Sequence, residues 1–433
     1  MIIFWEAVSS QTSYTWAAGA DAFSGDVQRI QIREGRWRLF VKLKGEVEMA
    51  ADEQSVALVG PDSFLEIEER NGHEQTRFKA TPGPDGEPLI ELFINREPAE
   101  FDDAARDWLE EMLPRVYRTT GLDAEARVGR ILAAAGTPGV LDEIRRVEGD
   151  SVQRRYYEHL LVQTDPEALD YEILVRHMGQ ELGSDYELRQ VLPRLPSIVL
   201  NEEPIANAFV STADSIGSDY ELRRTLSSFL ERPDLTPEAY ETVADAAQSI
   251  GGDYDQAELL IELLEIIPAD QELPRGFARR LRDIGTDYEL RKVLAVAMRR
   301  PQIATEELSD LLVASQTIGS DFDLAELLIE LVGSYNGTLP DSYFRAVGTL
   351  GEDFHHRRVL SATVARPGLT VEEIEAALSS SLAIGSDHEM QQFLVDLAQV
   401  TPIDARLRPS FERAVASISS DYHREQVWAA AQG

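Results

Sequence analysis

The chain contains no cysteine, and that absence removes disulfides, thiolate metal sites and cysteine nucleophiles together. Lysine is nearly missing as well. Only Lys42, Lys44, Lys79 and Lys292 occur, so the other 37 of the 41 basic residues are arginine, a skew that points to a GC-rich genome. No apolar run reaches the roughly 18 to 20 residues that span a bilayer. "MIIFW" is followed at once by Glu6 and is too short for the apolar core of a signal peptide. As it stands the sequence reads as cytoplasmic; a missing leader would make it periplasmic. Catalytic motifs are lacking too. There is no His-Glu-x-x-His, no Gly-x-Ser-x-Gly and no clustered Ser-His-Asp set. "GTPGV" (136–140) has neither the lysine nor the flanking glycine of a phosphate loop and reads as a helix break. No catalytic, cofactor-binding or metal-ligating residue is therefore assigned. Basic charge is outnumbered: 41 basic residues face 77 acidic ones, a formal net charge of -36. Such a surface repels phosphate backbones and argues against nucleic acid. The acidity suits a salt-adapted surface, a platform for a basic partner, or one for divalent cations.

What the sequence does hold is a change of texture near residue 100. At 433 residues, 43% hydrophobic and 27% charged, the chain is long enough for two or more domains or one extended array. Before residue 100, short β-branched and aromatic runs alternate with turn signals: "VQRIQI", "RWRLFVKLKGEVEM", "QSVALVG", "FLEIEER", "QTRFKAT" and "LIELFI". Phe64, Glu66 and Glu68 against Leu65 and Ile67 form the alternation of a half-buried strand, and the Asn-Gly of "ERNGHE" favours a tight hairpin. From "EFDDAARDWLEEML" onward the period is helical.

The helical part is a repeat. Its central aspartates are Asp150, Asp185, Asp219, Asp253, Asp287, Asp321, Asp353, Asp387 and Asp421, at spacings of 35, 34, 34, 34, 34, 32, 34 and 34 residues. A fixed period in this range is the signature of a helical-hairpin solenoid. In "IGTDYE" the first helix of a unit ends at Ile284, and Gly285 is expected to take the left-handed conformation. Thr286 then caps the second helix and Glu289 completes a capping box, as Ser184 with Glu187, Ser218 with Glu221 and Ser386 with Glu389 would do; Ser320 with Asp323 is a shortened version. Asp287 sits at the positive end of the helix dipole, four residues before Arg291, its expected partner. The recurrence of the aspartate is thus explained locally. Apolar stripes such as Leu290, Val293, Leu294 and Ala297, or Ile205, Phe209, Val210, Ala213 and Ile216, are core. His355, His356, His388 and His423 read as surface histidines.

The units also pair. "DYDQAELLIELLE" after Asp253 returns as "DFDLAELLIELVG" after Asp321, two periods later. Arg223, Arg224, Arg291, Lys292, Arg357 and Arg358 are basic where Ala257, Glu258, Ala325 and Glu326 are not. Pairing between neighbouring units explains this alternation; a partner-reading pattern is the other reading.

One resemblance attaches to these segments. "LKGEVEMAADEQSVALVGPDSFLEIEER" running into "FDDAARDWLEEMLPRVYRTTGLDAEARVGRILAAAG" and then into "SDYELRRTL" units resembles a group of uncharacterised bacterial proteins, over most of the chain. Some of that group are similar to regions accompanying membrane-bound zinc metallopeptidases of the antibiotic-sensor type. The zinc-binding helix motif is absent here, so the resemblance implies no protease activity. More loosely, the array is similar to tetratricopeptide and HEAT-like solenoids.

The expected fold is mainly α: a right-handed α-solenoid of about nine 34-residue helical hairpins with a small N-terminal antiparallel β domain. The expected domains are 1–98 (β), 99–137 (helical connector and cap) and 138–433 (repeats). The expected function is a non-enzymatic protein-interaction or scaffolding module with an acidic surface and a basic protein partner. Its alternative is a sensor or regulatory ectodomain that binds a cation or small ligand. Candidate surface residues are Asp253, Asp255, Asp321, Asp323, Arg224, Arg291 and Arg358.

Overall fold

The computed structural model describes residues 12–16, 27–196, 201–233 and 235–432. It is mainly helical, with an antiparallel sheet at the N-terminal end followed by a helical stack. The chain divides into two compact units, residues 1–194 and 195–433.

Among the described residues of the first unit, nine strands run from β1 to β9: Thr12–Trp16, Gln28–Glu34, Trp37–Lys44, Val47–Met49, Val56–Val59, Phe64–Asn71, Glu74–Pro82, Pro88–Ile94 and Glu97–Ala99. Seven form one sheet in the order β1-β2-β3-β6-β7-β8-β9, all antiparallel, and β4 pairs with β5. The Asn-Gly hairpin is present: Asn71 pairs with Glu74, and Gly72 opens the two-residue turn at φ 63°. Leu65 and Ile67 are buried as the alternation requires. Helix α1 (Asp103–Thr120) packs Leu109, Met112, Leu113, Val116 and Tyr117 into the same core as Leu39, Val41, Ile67 and Phe78 of the sheet. Glu69 of β6 accepts from Trp37 Nε1 at 2.5 Å and from Trp108 Nε1 at 2.6 Å, tying α1 to the sheet.

Among the described residues, eighteen further α-helices alternate as first and second helices of nine hairpins. The first helices are α2 (Ala124–Ile144), α4 (Tyr171–Glu181), α6 (Glu203–Ala213), α8 (Pro237–Ala246), α10 (Phe277–Arg280), α12 (Thr305–Ser315), α14 (Asp341–Val347), α16 (Val371–Ser381) and α18 (Arg408–Ser417). Each second helix begins at a repeat aspartate: α3 (Asp150–Gln163), α5 (Asp185–Val191), α7 (Asp219–Leu230), α9 (Asp253–Ile266), α11 (Asp287–Met298), α13 (Asp321–Ser334), α15 (Asp353–Val364), α17 (Asp387–Val400) and α19 (Asp421–Ala431). The break expected in "GTPGV" is a kink within α2, where Gly136 leaves helical geometry at φ 65°.

In the second unit the second helices stack in sequence, α7 on α9 and so on to α19, while the first helices α10 to α18 form a parallel row. Leu290, Val293, Leu294 and Ala297 are buried between them, as are Ile205, Phe209, Ala213 and Ile216; Val210 is half-buried, and Ala208 takes the inward place. A hairpin has two apolar faces and can bury both only between neighbours, which is what the stacking supplies.

Candidate functional site

The junction between helices carries the organisation of the array. The aliphatic residue closing each first helix of the second unit (Ile216, Ile250, Ile284, Ile318, Leu350, Ile384, Ile418) is buried, and the backbone is extended at Ile250, Ile284 and Ile418, with φ -73° and ψ 111° at Ile284. That bend leaves the next N–H groups without helical partners. The aspartate of the preceding repeat takes them. Asp253 Oδ1 accepts from Gly285 N at 3.0 Å, and Asp287 accepts from Gly319 N at 3.0 Å and Ser320 N at 2.7 Å. Asp321 accepts from Gly351 N and Glu352 N, and Asp387 from Ser419 N and Ser420 N at 2.9 Å each. Asp219, Asp353 and Asp150 do the same for Gly251, Gly385 and the Gly183–Ser184 backbone. The repeat aspartate is therefore a stitch between units as well as a first-turn charge.

The bonds lower a carboxyl pKa and burial raises it, and the balance differs between repeats. Donation from Ser419 N, then from Ser420 N, holds Asp387 below its ordinary value despite some desolvation. Asp150 goes up, because burial outweighs the bonds from Gly183 and Ser184.

Three expectations about the junction are corrected. Gly285 does not adopt positive φ; the glycine lies under the stitch, where an added Cβ would meet Asp253 Oδ2 at 3.4 Å. That is ordinary van der Waals contact, and Ser419 occupies the equivalent place. The Thr286 hydroxyl makes no cap hydrogen bond, and Glu289 is held by Lys292 at 3.0 Å. Ser184, Ser218 and Ser386 do accept from Glu187 N, Glu221 N and Glu389 N at 3.3 to 3.4 Å, and Ser320 accepts from Asp323 N at 3.2 Å. The return half of the box is not made where the stitch already takes the cap N–H, as at Ser320. Arg291 pairs with Asp323 of the next repeat at 3.2 Å and not with Asp287, whose oxygens are engaged by the backbone.

The alternation of basic and acidic units is an ion-pair pattern inside the array. Arg154 pairs with Glu187, Arg223 with Asp255, Arg291 with Asp323 and Arg357 with Glu389, each arginine reaching forward one unit. One residue further on, Lys292 reaches back to Glu258 and Arg358 to Glu326, both at 2.7 Å. Of the expected surface set, Asp253 and Asp321 are stitches, Asp255, Asp323, Arg291 and Arg358 are in inter-unit pairs, and Arg224 is exposed.

Also outward-facing is a row of rings. The residue after each repeat aspartate in the second unit is Tyr220, Tyr254, Tyr288, Phe322, Phe354, His388 and Tyr422, and the six tyrosines and phenylalanines are 48 to 65% exposed. Nothing in the sequence patterning assigns this position a role; its regular aromatic identity is the signal that could have found it. The rings are held from below. Arg223 and Lys292 lie 5.8 and 5.7 Å from the Tyr254 ring centre, Arg291 and Lys292 5.6 and 5.7 Å from that of Tyr288, and Arg357 and Arg358 5.3 and 5.8 Å from that of Phe354. Phe322 meets His355 edge-on at 6.2 Å, and His388 lies 6.2 Å from His423.

The histidines divide. His388 is exposed, and His355 and His423 are half-buried. His356, expected at the surface, is buried at 2%, because its helical phase points it at α16, where Nε2 meets Ser380 Oγ at 3.0 Å. Burial holds its pKa below the ordinary 6.5. Among the described residues no group of three or more His, Asp or Glu stands where it could hold a metal ion. None of the described helices is long and apolar enough to cross a membrane.

In the first unit the densest charged group joins the sheet to the helices. Glu53, in the β4–β5 turn at φ 62°, accepts from Arg127 at 2.9 Å and from Arg130 at 3.1 Å. Arg127, buried, also reaches Glu143 at 2.9 Å and the Tyr156 hydroxyl at 2.8 Å. Burial opposes ionisation of Glu143, yet the hydrogen bond from Arg118 and the charge of Arg127 hold its pKa below the ordinary 4.5. Its charges are paired, so this cluster latches the β4–β5 turn to α2. Comparison with family models, curated proteins and solved structures gives no match to this chain.

Proposed function

We propose that the chain is a non-enzymatic protein-interaction or scaffolding module whose docking surface is the ring row of the second unit. One observation carries the reading: Arg291, Lys292 and Arg358 beside the row are satisfied by acids of neighbouring repeats, while six aromatic side chains in register stay about half exposed or more. Large, rigid rings supply contact area at low entropic cost, and their outward placement has no counterpart in the buried stripes. Protein partners are favoured over nucleic acid by the charge of -36. A photo-crosslinking residue placed at Tyr288, compared with one at Val313 on a first helix, tests it in the native cell. Partner adducts are expected at position 288 and not at 313. Equal labelling at both, or labelling at 313 alone, would overturn the reading.

A further inference from the structure

The ring row has a period, and a period selects ligands. Second helices in van der Waals contact sit roughly 8 to 10 Å apart, and α7 to α19 stack in that way, each contributing one ring at its second position. A polyproline II helix advances about 3.1 Å per residue with three residues per turn, so it repeats about every 9.3 Å. The two periods coincide within the scatter of helix packing. An α-helix, repeating every 5.4 Å, and a β-strand, with same-face residues about 6.8 Å apart, fall out of step with the rings after one or two units.

Chemistry narrows the ligand further. Exposed aromatic side chains are the surfaces on which proline-rich segments dock, since pyrrolidine rings stack on them and the ligand is already extended. Charge supplies the second selection. The cations packed on the rings are engaged by Asp255, Glu258, Glu289, Asp323, Glu326 and Glu389, while Asp283, Glu352 and Asp421 stand exposed in the same junctions together with Arg224 and Arg282. With 77 acidic against 41 basic residues in the chain, a cationic ligand is attracted and an anionic one repelled.

We infer that the row Tyr220 to Tyr422 takes a basic, proline-rich peptide in the polyproline II conformation, one turn of ligand per repeat. This rests on the interaction reading above and deepens it. Tyr254, Tyr288 and Phe354 are prearranged by their cation contacts, so little ordering of these side chains accompanies binding.

The test uses the full chain and fluorescence anisotropy with three labelled 15-residue peptides: five repeats of Pro-Pro-Arg, of Gly-Ser-Arg and of Pro-Pro-Glu. Pro-Pro-Arg is expected to bind at least about tenfold more tightly than Gly-Ser-Arg, more weakly at higher salt, and Pro-Pro-Glu not to bind. The triple variant Tyr254→Ser, Tyr288→Ser, Phe322→Ser should lose at least about tenfold in affinity while its circular dichroism stays native, and Tyr288→Phe should bind as wild type. Equal affinity for Pro-Pro-Arg and Gly-Ser-Arg, a comparison that needs no variant, would overturn the polyproline ligand; if that binding still depended on the rings, the interaction reading would stand. Unchanged binding by the triple variant would overturn the ring row as the site. No peptide binding, or binding of a β-linked glucose oligosaccharide in its place, would overturn the inference, whereas failure of the crosslinking test would remove the reading on which it rests.

Discussion

A carboxylate at the first position of a helix meets the positive end of that helix's dipole, and in this array it also meets two backbone donors from the next unit. The two roles predict different mutational costs. Asp287→Ala strips the junction at Gly319 and Ser320 of its acceptor, and a loss of about 1.5 to 3 kcal/mol is expected in urea unfolding, the range for hydrogen bonds to charged groups. Asp421, whose side chain is 86% exposed and pairs with Arg424 in its own helix, should change stability by less than about 0.5 kcal/mol when made alanine. Equal effects at both positions would reduce the aspartate to a dipole partner. His356 supplies a pH-dependent counterpart. Its folded pKa lies below 6.5, so the unfolded chain takes up a proton first as pH falls; stability is whole above that value and declines below it. Unfolding measured at about pH 7.5 and about pH 5.5 should show that decline, and His356→Gln should flatten it. A steeper slope in the variant would contradict the assignment.

At the scale of elements, much was legible and for a clear reason. Nine aspartates counted along the chain mark the first residue of nine second helices, because a first-turn acid at a fixed period is a local signal, preceded by an aliphatic-glycine pair at seven of the nine places. The strands β2 to β8 were readable from their runs, whereas β9 is three residues long with Pro98 at its centre and offers no alternation to read. The stitches were hidden because a local charge effect and a bond to a residue 32 positions away leave the same recurrence in sequence. The rings were in plain view but their exposure was not, since Tyr288 and Leu290 lie two residues apart and only the helix phase separates surface from core. Phase and pairing also decide caps. Ser218→Ala removes an accepting hydroxyl and should cost about 0.5 to 1 kcal/mol, while Thr286→Ala, which removes no cap bond, should cost under about 0.5 kcal/mol. Thermal unfolding of the two variants side by side checks the contrast; equal costs would restore the cap at Thr286.

For the molecule as a whole, the acid excess and the internal ion pairs respond to salt in opposite directions. Pairs such as Arg291 with Asp323 are partly shielded from solvent, and the surplus of acids faces it, so screening over about 8 to 10 Å relieves more repulsion than it removes attraction. Stability should rise gradually with sodium or potassium chloride alike; a fall would show that the pairs dominate. The forward and backward reach of those pairs gives the array a parity. If residues 253–286 were excised, Lys292 would turn its ammonium toward Arg224 in place of Glu258. If 253–320 were excised, Arg223 would find Asp323 where it had Asp255, and Arg358 would keep Glu326. The longer excision should therefore leave the sharper unfolding transition although it removes twice as much chain. An array wired in this way gains and loses length by even steps, and its true indivisible unit is the four-helix pair rather than the hairpin.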